Sequence, residues 1–98
     1  MSHELIVRPL AEADLAEAHA WYEGQRQGLG DEFLDEVDTA FARITDAPLR
    51  YPIVHRDMRR TLTKRFPFAI FYVVEPERVV VLAVLNQARD PERWRRRS

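Results

Sequence analysis

Arg59, Arg60, Lys64 and Arg65 crowd one short stretch of the chain, and Arg89 stands further on. Guanidinium and ammonium groups held on a rigid strand can grip phosphate or carboxylate. With a general base nearby they could also stabilise the transition state of RNA cleavage through its own 2′-OH. The same cations can equally form a solvated strand edge that receives an acidic partner. A second basic run, Arg93-Trp94-Arg95-Arg96-Arg97, closes the chain with one aromatic in it. Other chemistry is sparse. His3, His19 and His55 fall in different elements without metal-ligand spacing, and the acids Asp31, Glu32, Asp35, Glu36 and Asp38 read as a solvated helix start. No metal and no cofactor is therefore expected. Cysteine is absent and serine occurs only at Ser2 and Ser98, which removes thiolate and serine nucleophiles. No phosphate loop, nucleotide fingerprint or zinc motif is present. Tyr22, Tyr51 and Tyr72 read as residues at the edge of the core.

The elements that must position these groups follow from periodicity. Residues 3–8 are a short aliphatic run stopped by Pro9 and read as a strand. Across residues 11–26, Ala11, Leu15, Ala18 and Tyr22 recur at helical spacing, with Glu12 and Asp14 favouring the dipole at a start that lacks a strong cap. Gly24 to Gly30 breaks that helix. A second helix opens with Asp31 and Glu32, carries Leu34, Val37, Phe41 and Ile44 as its apolar stripe, widened by Phe33, and ends at Asp46-Ala47-Pro48. From Tyr51 the period changes to two. Residues 58–65 form a polar strand with Met58 and Leu62 on one face and Arg59, Thr61, Thr63 and Arg65 on the other, which is expected to point outward. Residues 67–74 and 78–88 are β-branched and aromatic runs joined by a short turn at Glu75-Pro76-Glu77. The order is β-α-α-β-β-β, an α+β domain with a helical hairpin packed on one face of a small antiparallel sheet.

That architecture leaves a face to be covered. Residues 68–74 and 79–85 are apolar without alternation, so both sides of the sheet need burial, and two helices cover only one. Either the C-terminal segment folds back over the second face or another chain does, and a protein partner is expected. Length and composition agree with one domain over residues 1–98: 46% of residues are hydrophobic and 32% charged. Neither apolar run approaches a membrane span, and the N-terminus has no basic region followed by an apolar one. A cytoplasmic protein with no membrane association is expected. The formal charge of −1 conceals a strong polarity: residues 1–49 hold three basic and eleven acidic side chains, residues 50–98 twelve and five. The basic half should attract an acidic peptide, nucleic acid or acidic protein surface.

Six blocks then become recognisable in order. They are R-P-x-A-x-x-D-L-x-E-A-x-x-W-Y at 8–22, G-L-G-D-E-F-L at 28–34, A-P-x-x-Y-P at 47–52, R-R-x-L-x-x-R-F-P-F-A-I-F-Y at 59–72, V-V-V-L-A-V-L at 79–85 and R-D-P-E-R-W at 89–94. Together they resemble the toxins of the RelE/ParE superfamily, from type II toxin–antitoxin modules often labelled plasmid stabilisation proteins. The resemblance implies a helical hairpin on an antiparallel sheet and a cognate antitoxin in a hetero-oligomer, with operator DNA bound only through that antitoxin. It implies one of two targets. RelE-like members are ribosome-dependent mRNA endonucleases; ParE-like members inhibit DNA gyrase. Many relatives carry a His in the pattern V-L-H-x-x-R-D-P where this chain has Asn86, an amide that cannot act as acid or base near neutral pH. With the F-P-x-A-I-x-Y block and the R-D-P-E-R-W ending, this favours the ParE-like reading. Arg59, Arg65, Phe71, Arg89 and Trp94 are then expected to bind target or antitoxin. On the RelE-like alternative, Arg59, Lys64, Arg65 and Arg89 would be catalytic.

Overall fold

The computed structural model describes residues 3–88 and 91–98. The elements run β1 (Glu4–Val7), α1 (Pro9–Gln25), α2 (Leu29–Asp46), a 3-10 turn (Pro48–Arg50), β2 (Ile53–His55), β3 (Met58–Leu62), β4 (Phe68–Glu75), β5 (Arg78–Asn86) and α3 (Pro91–Arg95). The strands form one sheet in the order β1-β5-β4-β3-β2. β2, β3, β4 and β5 pair antiparallel in succession, and β1 lies parallel to β5. The α+β reading with a helical hairpin on one face therefore stands. The structure adds the short strand β2 and the terminal helix α3, both too short to carry a readable period, and the parallel edge β1. A parallel edge strand needs a crossover, and the α1–α2 hairpin supplies it.

Proline starts α1: Pro9 sits where its missing N–H costs nothing, and Arg8 before it is extended without a side-chain cap. Ala11 and Ala18 face the core, with Leu15 and Tyr22 half-buried beside them. On α2 the buried stripe is Phe33, Val37, Ala40, Phe41 and Ile44. Leu34, expected in that stripe, is only half-buried, because Phe33 fills the space against Phe68 of β4.

The hairpin turn is tightly specified. Gly28 has φ +88 at the start of α2, a left-handed conformation that favours glycine. A Cβ on Gly30 would stand 2.7 Å from the His19 carbonyl oxygen and from the Glu23 side chain, so a hydrogen there lets α2 press against α1. Glu23 then satisfies two amides at the start of α2, accepting from Gly28 N–H at 3.1 Å and Gly30 N–H at 2.7 Å.

Apolar residues bury on both sides of the sheet. The inner cluster joins α1 and α2 to Phe68, Ile70, Tyr72, Val79, Val81 and Val84. The outer cluster holds Met58, Ala69, Phe71, Ala83 and Leu85. A β-bulge divides β5: Tyr72 pairs with Val81 but Phe71 with Ala83, leaving Leu82 as the extra residue. Alternation restarts beyond it, so Val84 faces the helices and Ala83 and Leu85 the outer side. Trp94 of α3 covers that outer side, stacked on Phe71 at 4.6 Å and 14°. Of the two covers left open by the sequence, the C-terminal segment is the one seen.

Candidate functional site

The alternation expected for residues 58–65 holds only as far as Thr63, and the faces are exchanged. Met58 and Leu62 belong to the outer side, while Arg59, Thr61 and Thr63 turn toward the helices. The strand also ends at Leu62, so Lys64 and Arg65 lie in the turn that follows. Backbone carbonyls explain the exchange. The Arg59 guanidinium donates to Tyr51 O at 2.6 Å and Leu49 O at 3.4 Å, tying down the 3-10 turn. Thr63, 5% exposed, donates its hydroxyl to Phe66 O and accepts from Phe68 N–H. A polar face is buried cheaply when loops supply acceptors.

Arg65 pairs with Glu32 of α2 at 2.6 Å and lies over the Phe66 ring. Glu32 also receives Arg26 at 3.0 Å, and hydrogen bonds from Arg65 first and Arg26 second hold its carboxyl below the ordinary value of 4.5. The Lys64 amide donates to Glu36. Arg59 and Arg65 therefore do not share an outward basic face; each is engaged on the helical side. Arg89, the remaining cation of the expected set, lies outside the described residues. Phe71 is buried, with Trp94 over it.

A tyrosine pair sits beside Arg59. The Tyr72 hydroxyl donates to Pro48 O at 2.7 Å, and burial pushes its phenol up to about 12 against a smaller lowering by Arg59. Burial also raises Tyr51, but hydrogen bonds and charge from Arg43, with smaller help from Arg50 and Thr61, leave it below its ordinary value. These contacts fasten the 3-10 turn to the sheet.

Among the described residues, two hollows border the sheet. The smaller, about 130 Å³, lies on the outer sheet face and is lined by Arg60, Phe71, Asn86, Gln87 and Trp94. Arg60 is the cation the reversed faces bring outward. Its position between Met58 and Leu62 was the signal, since period two forces all three onto one face. Among the described residues Arg60 has no acidic partner. His55 stands near this face, its ring 6.3 Å from that of Trp94. The larger, about 520 Å³, runs between α1 and the end of β5.

His19, Glu23 and Asp31 bring one ligand atom each to within 4.8 Å of one another. His19 Nε2 lies 3.1 Å from Asp31 Oδ1, and both Glu23 oxygens already accept amides of the α2 start. The positive end of the α2 dipole opposes a cation here, so the trio serves as a lock between the helices. Among the described residues no helix is long and apolar enough to cross a membrane.

Comparison with known proteins places this geometry. A solved structure described as a chromosomal ParDE toxin–antitoxin system from P. aeruginosa is 15% identical, with a TM-score of 0.78 over 87% of this chain and 96% of that one. The toxin–antitoxin complex RelBE2 from Mycobacterium tuberculosis is 17% identical, with a TM-score of 0.62 over 89% of this chain and 100% of the other. These two likenesses show the fold. No curated protein matches the sequence. The family described as the ParE toxin of the type II toxin–antitoxin system parDE matches residues 5–91, nearly the whole described fold, and the chain belongs to that toxin family.

Proposed function

We propose that this toxin arrests growth by binding DNA gyrase, cuts no RNA itself, and is neutralised by a cognate antitoxin that alone contacts operator DNA. The reading places its action in the cytoplasm, with the target. The observation that carries it is the composition of the outer sheet hollow. Arg60 can grip carboxylate or phosphate there, but Asn86 and Gln87 complete the wall, and amides neither take nor give a proton near neutral pH. Arg59 and Arg65, which a nuclease reading would need, are occupied in holding loops and helix together. Such a wall binds, and its amides do not move protons.

One observation supports the RelE-like alternative. His55 beside Trp94 puts a titratable imidazole near the same face. Expression without antitoxin separates the two. On the gyrase reading, replication stops, the DNA-damage response rises, supercoiling by purified gyrase is inhibited and mRNA stays intact. Rapid ribosome-dependent mRNA cleavage, abolished by His55→Gln, would replace this mechanism with the other.

A further inference from the structure

The segment 48–53, which joins α2 to β2 through the 3-10 turn, is held far more firmly than its exposure requires. Four of its backbone carbonyls are bonded to β3 and β4. Pro48 O accepts from the buried Tyr72 hydroxyl at 2.7 Å, and Pro52 O accepts from the Arg60 amide at 3.1 Å. Between them, Leu49 O and Tyr51 O share the Arg59 guanidinium at 3.4 and 2.6 Å. Pro48 and Pro52 also fix φ near both ends of the segment. A connecting segment ordinarily leaves such groups to water and stays mobile.

The side chains that this pinning displays are apolar. Leu49 is 67% exposed, more than any other large apolar side chain among the described residues, and Ile53 is 54% exposed. Tyr51 lies half-buried between them in sequence. Burial raises its phenol, but the Arg43 and Arg50 guanidinium groups reach the hydroxyl and leave it below its ordinary value. Neither arginine pairs with an acid among the described residues. Residues 43–60 hold five arginines against two acids, Asp46 and Asp57. Burial of Leu49 does not repay the order imposed on it, since most of that side chain remains in water. Tyrosine and arginine set around an apolar side chain are the residues that dominate protein interfaces, and a surface ordered in advance loses less freedom on binding.

We infer that the segment 48–53 is a preformed knob that enters an apolar, acid-rimmed pocket on the folded target protein. The inference rests on the gyrase reading above and adds a contact that shares no lining residue with the outer sheet hollow. That hollow, about 130 Å³, receives one small group, whereas a stable protein interface buries roughly 800 Å² on each partner. More of the toxin must therefore touch its target. The pocket floor is apolar because Leu49 and Ile53 gain by leaving water. Its rim is acidic because Arg43 and Arg50 bring charge without carboxylates of their own. A second copy of this chain is disfavoured, because two-fold symmetry would set Arg50 against Arg50. Duplex DNA offers phosphate to the arginines, but its bases must unstack before a leucine can enter.

The test is inhibition of supercoiling by purified gyrase, using the full chain. Leu49→Ser and Arg50→Glu are each expected to raise the half-inhibiting concentration roughly tenfold or more, with the melting temperature unchanged. Leu10→Ser, which removes another exposed leucine from α1, should inhibit as wild type does. A photoreactive side chain at position 49 should become joined to a gyrase subunit. Wild-type inhibition by both knob variants would overturn the surface while leaving the gyrase reading intact. Failure of the wild-type chain to inhibit gyrase would remove that reading and the inference with it. Joining to DNA instead of protein would assign the knob to nucleic acid. Weakened antitoxin binding by the knob variants with gyrase inhibition unchanged would assign it to the antitoxin, and a dimer lost in Leu49→Ser with inhibition unchanged would assign it to a second copy. Each of these three outcomes would overturn the inference.

Discussion

Arg59 and Arg60 are adjacent in sequence and opposite in role. Arg59 holds two backbone carbonyls of the 3-10 turn, so Arg59→Ala should cost about 2 kcal/mol, the usual worth of hydrogen bonds to a charged donor. Arg60 rests in the outer hollow without an acidic partner among the described residues, and Arg60→Ala should leave the melting temperature within a few degrees while reducing toxicity. Calorimetry paired with a growth assay separates the two; an Arg60 variant as toxic as wild type would make that side chain a bystander. Tyr72 gives a pH signature. Its folded pKa is raised to about 12 from 10.0, so its contribution is complete below pH 10 and is lost as pH climbs toward 12. Tyr72→Phe should lower stability by about 1 kcal/mol at neutral pH through the lost bond to Pro48 O. It should also flatten the alkaline decline measured by denaturant titration.

Among the elements, the helical hairpin sets the spacing on which the groove depends. Gly30→Ala tests it with two opposed effects. Alanine improves helix propensity by roughly 1 kcal/mol, but its Cβ would meet the His19 backbone oxygen at 2.7 Å, and backbone cannot swing aside. The clash should win, with a net loss of roughly 1–3 kcal/mol. A Gly30→Ala chain as stable as wild type would show that the helices slide freely. Glu32 ties α2 to the turn after β3 through Arg65 and to the hairpin loop through Arg26. Its carboxyl is depressed below 4.5, so this tie contributes above the ordinary carboxylate range and is lost as pH falls through the depressed value. The melting temperatures of wild type and Glu32→Gln should therefore differ at pH 7 and converge in acid.

At the scale of the molecule, a sheet apolar on both sides is closed by helices on one side and the C-terminus on the other. Trp94→Ala should expose the Phe71 cluster, cost about 2 kcal/mol and raise binding of a hydrophobic dye. The same terminus clasps the open edge of β5. Asp14 and Arg97 have side chains 5% and 13% exposed, so Arg97→Ala would strand a buried carboxylate and should cost about 3 kcal/mol in chemical denaturation. An Arg97→Ala loss below what a surface ion pair gives would mean that water reaches Asp14.

Most of the fold was legible in the chain. The helical spacing of Ala11 and Ala18, the stripe from Val37 to Ile44 and the two β-branched runs each repeat a period that only one element satisfies. Period two also dictated which of residues 58–62 travel together. Which group faces the helices was a tertiary decision. Arg59 and Thr63 find backbone acceptors on the inner side, so burial there satisfies polar groups that hydropathy alone would send to solvent. β2 and α3 were too short to show a period. The bulge at Leu82 has no local signature, because it arises from the registration of β5 against β4. The open edge at Asn86 likewise exists only because β1 ends at Val7 while β5 continues, a difference in length between strands far apart in sequence and adjacent in space. Residue spacing determines what each segment becomes; partner atoms from distant segments determine which surface it presents.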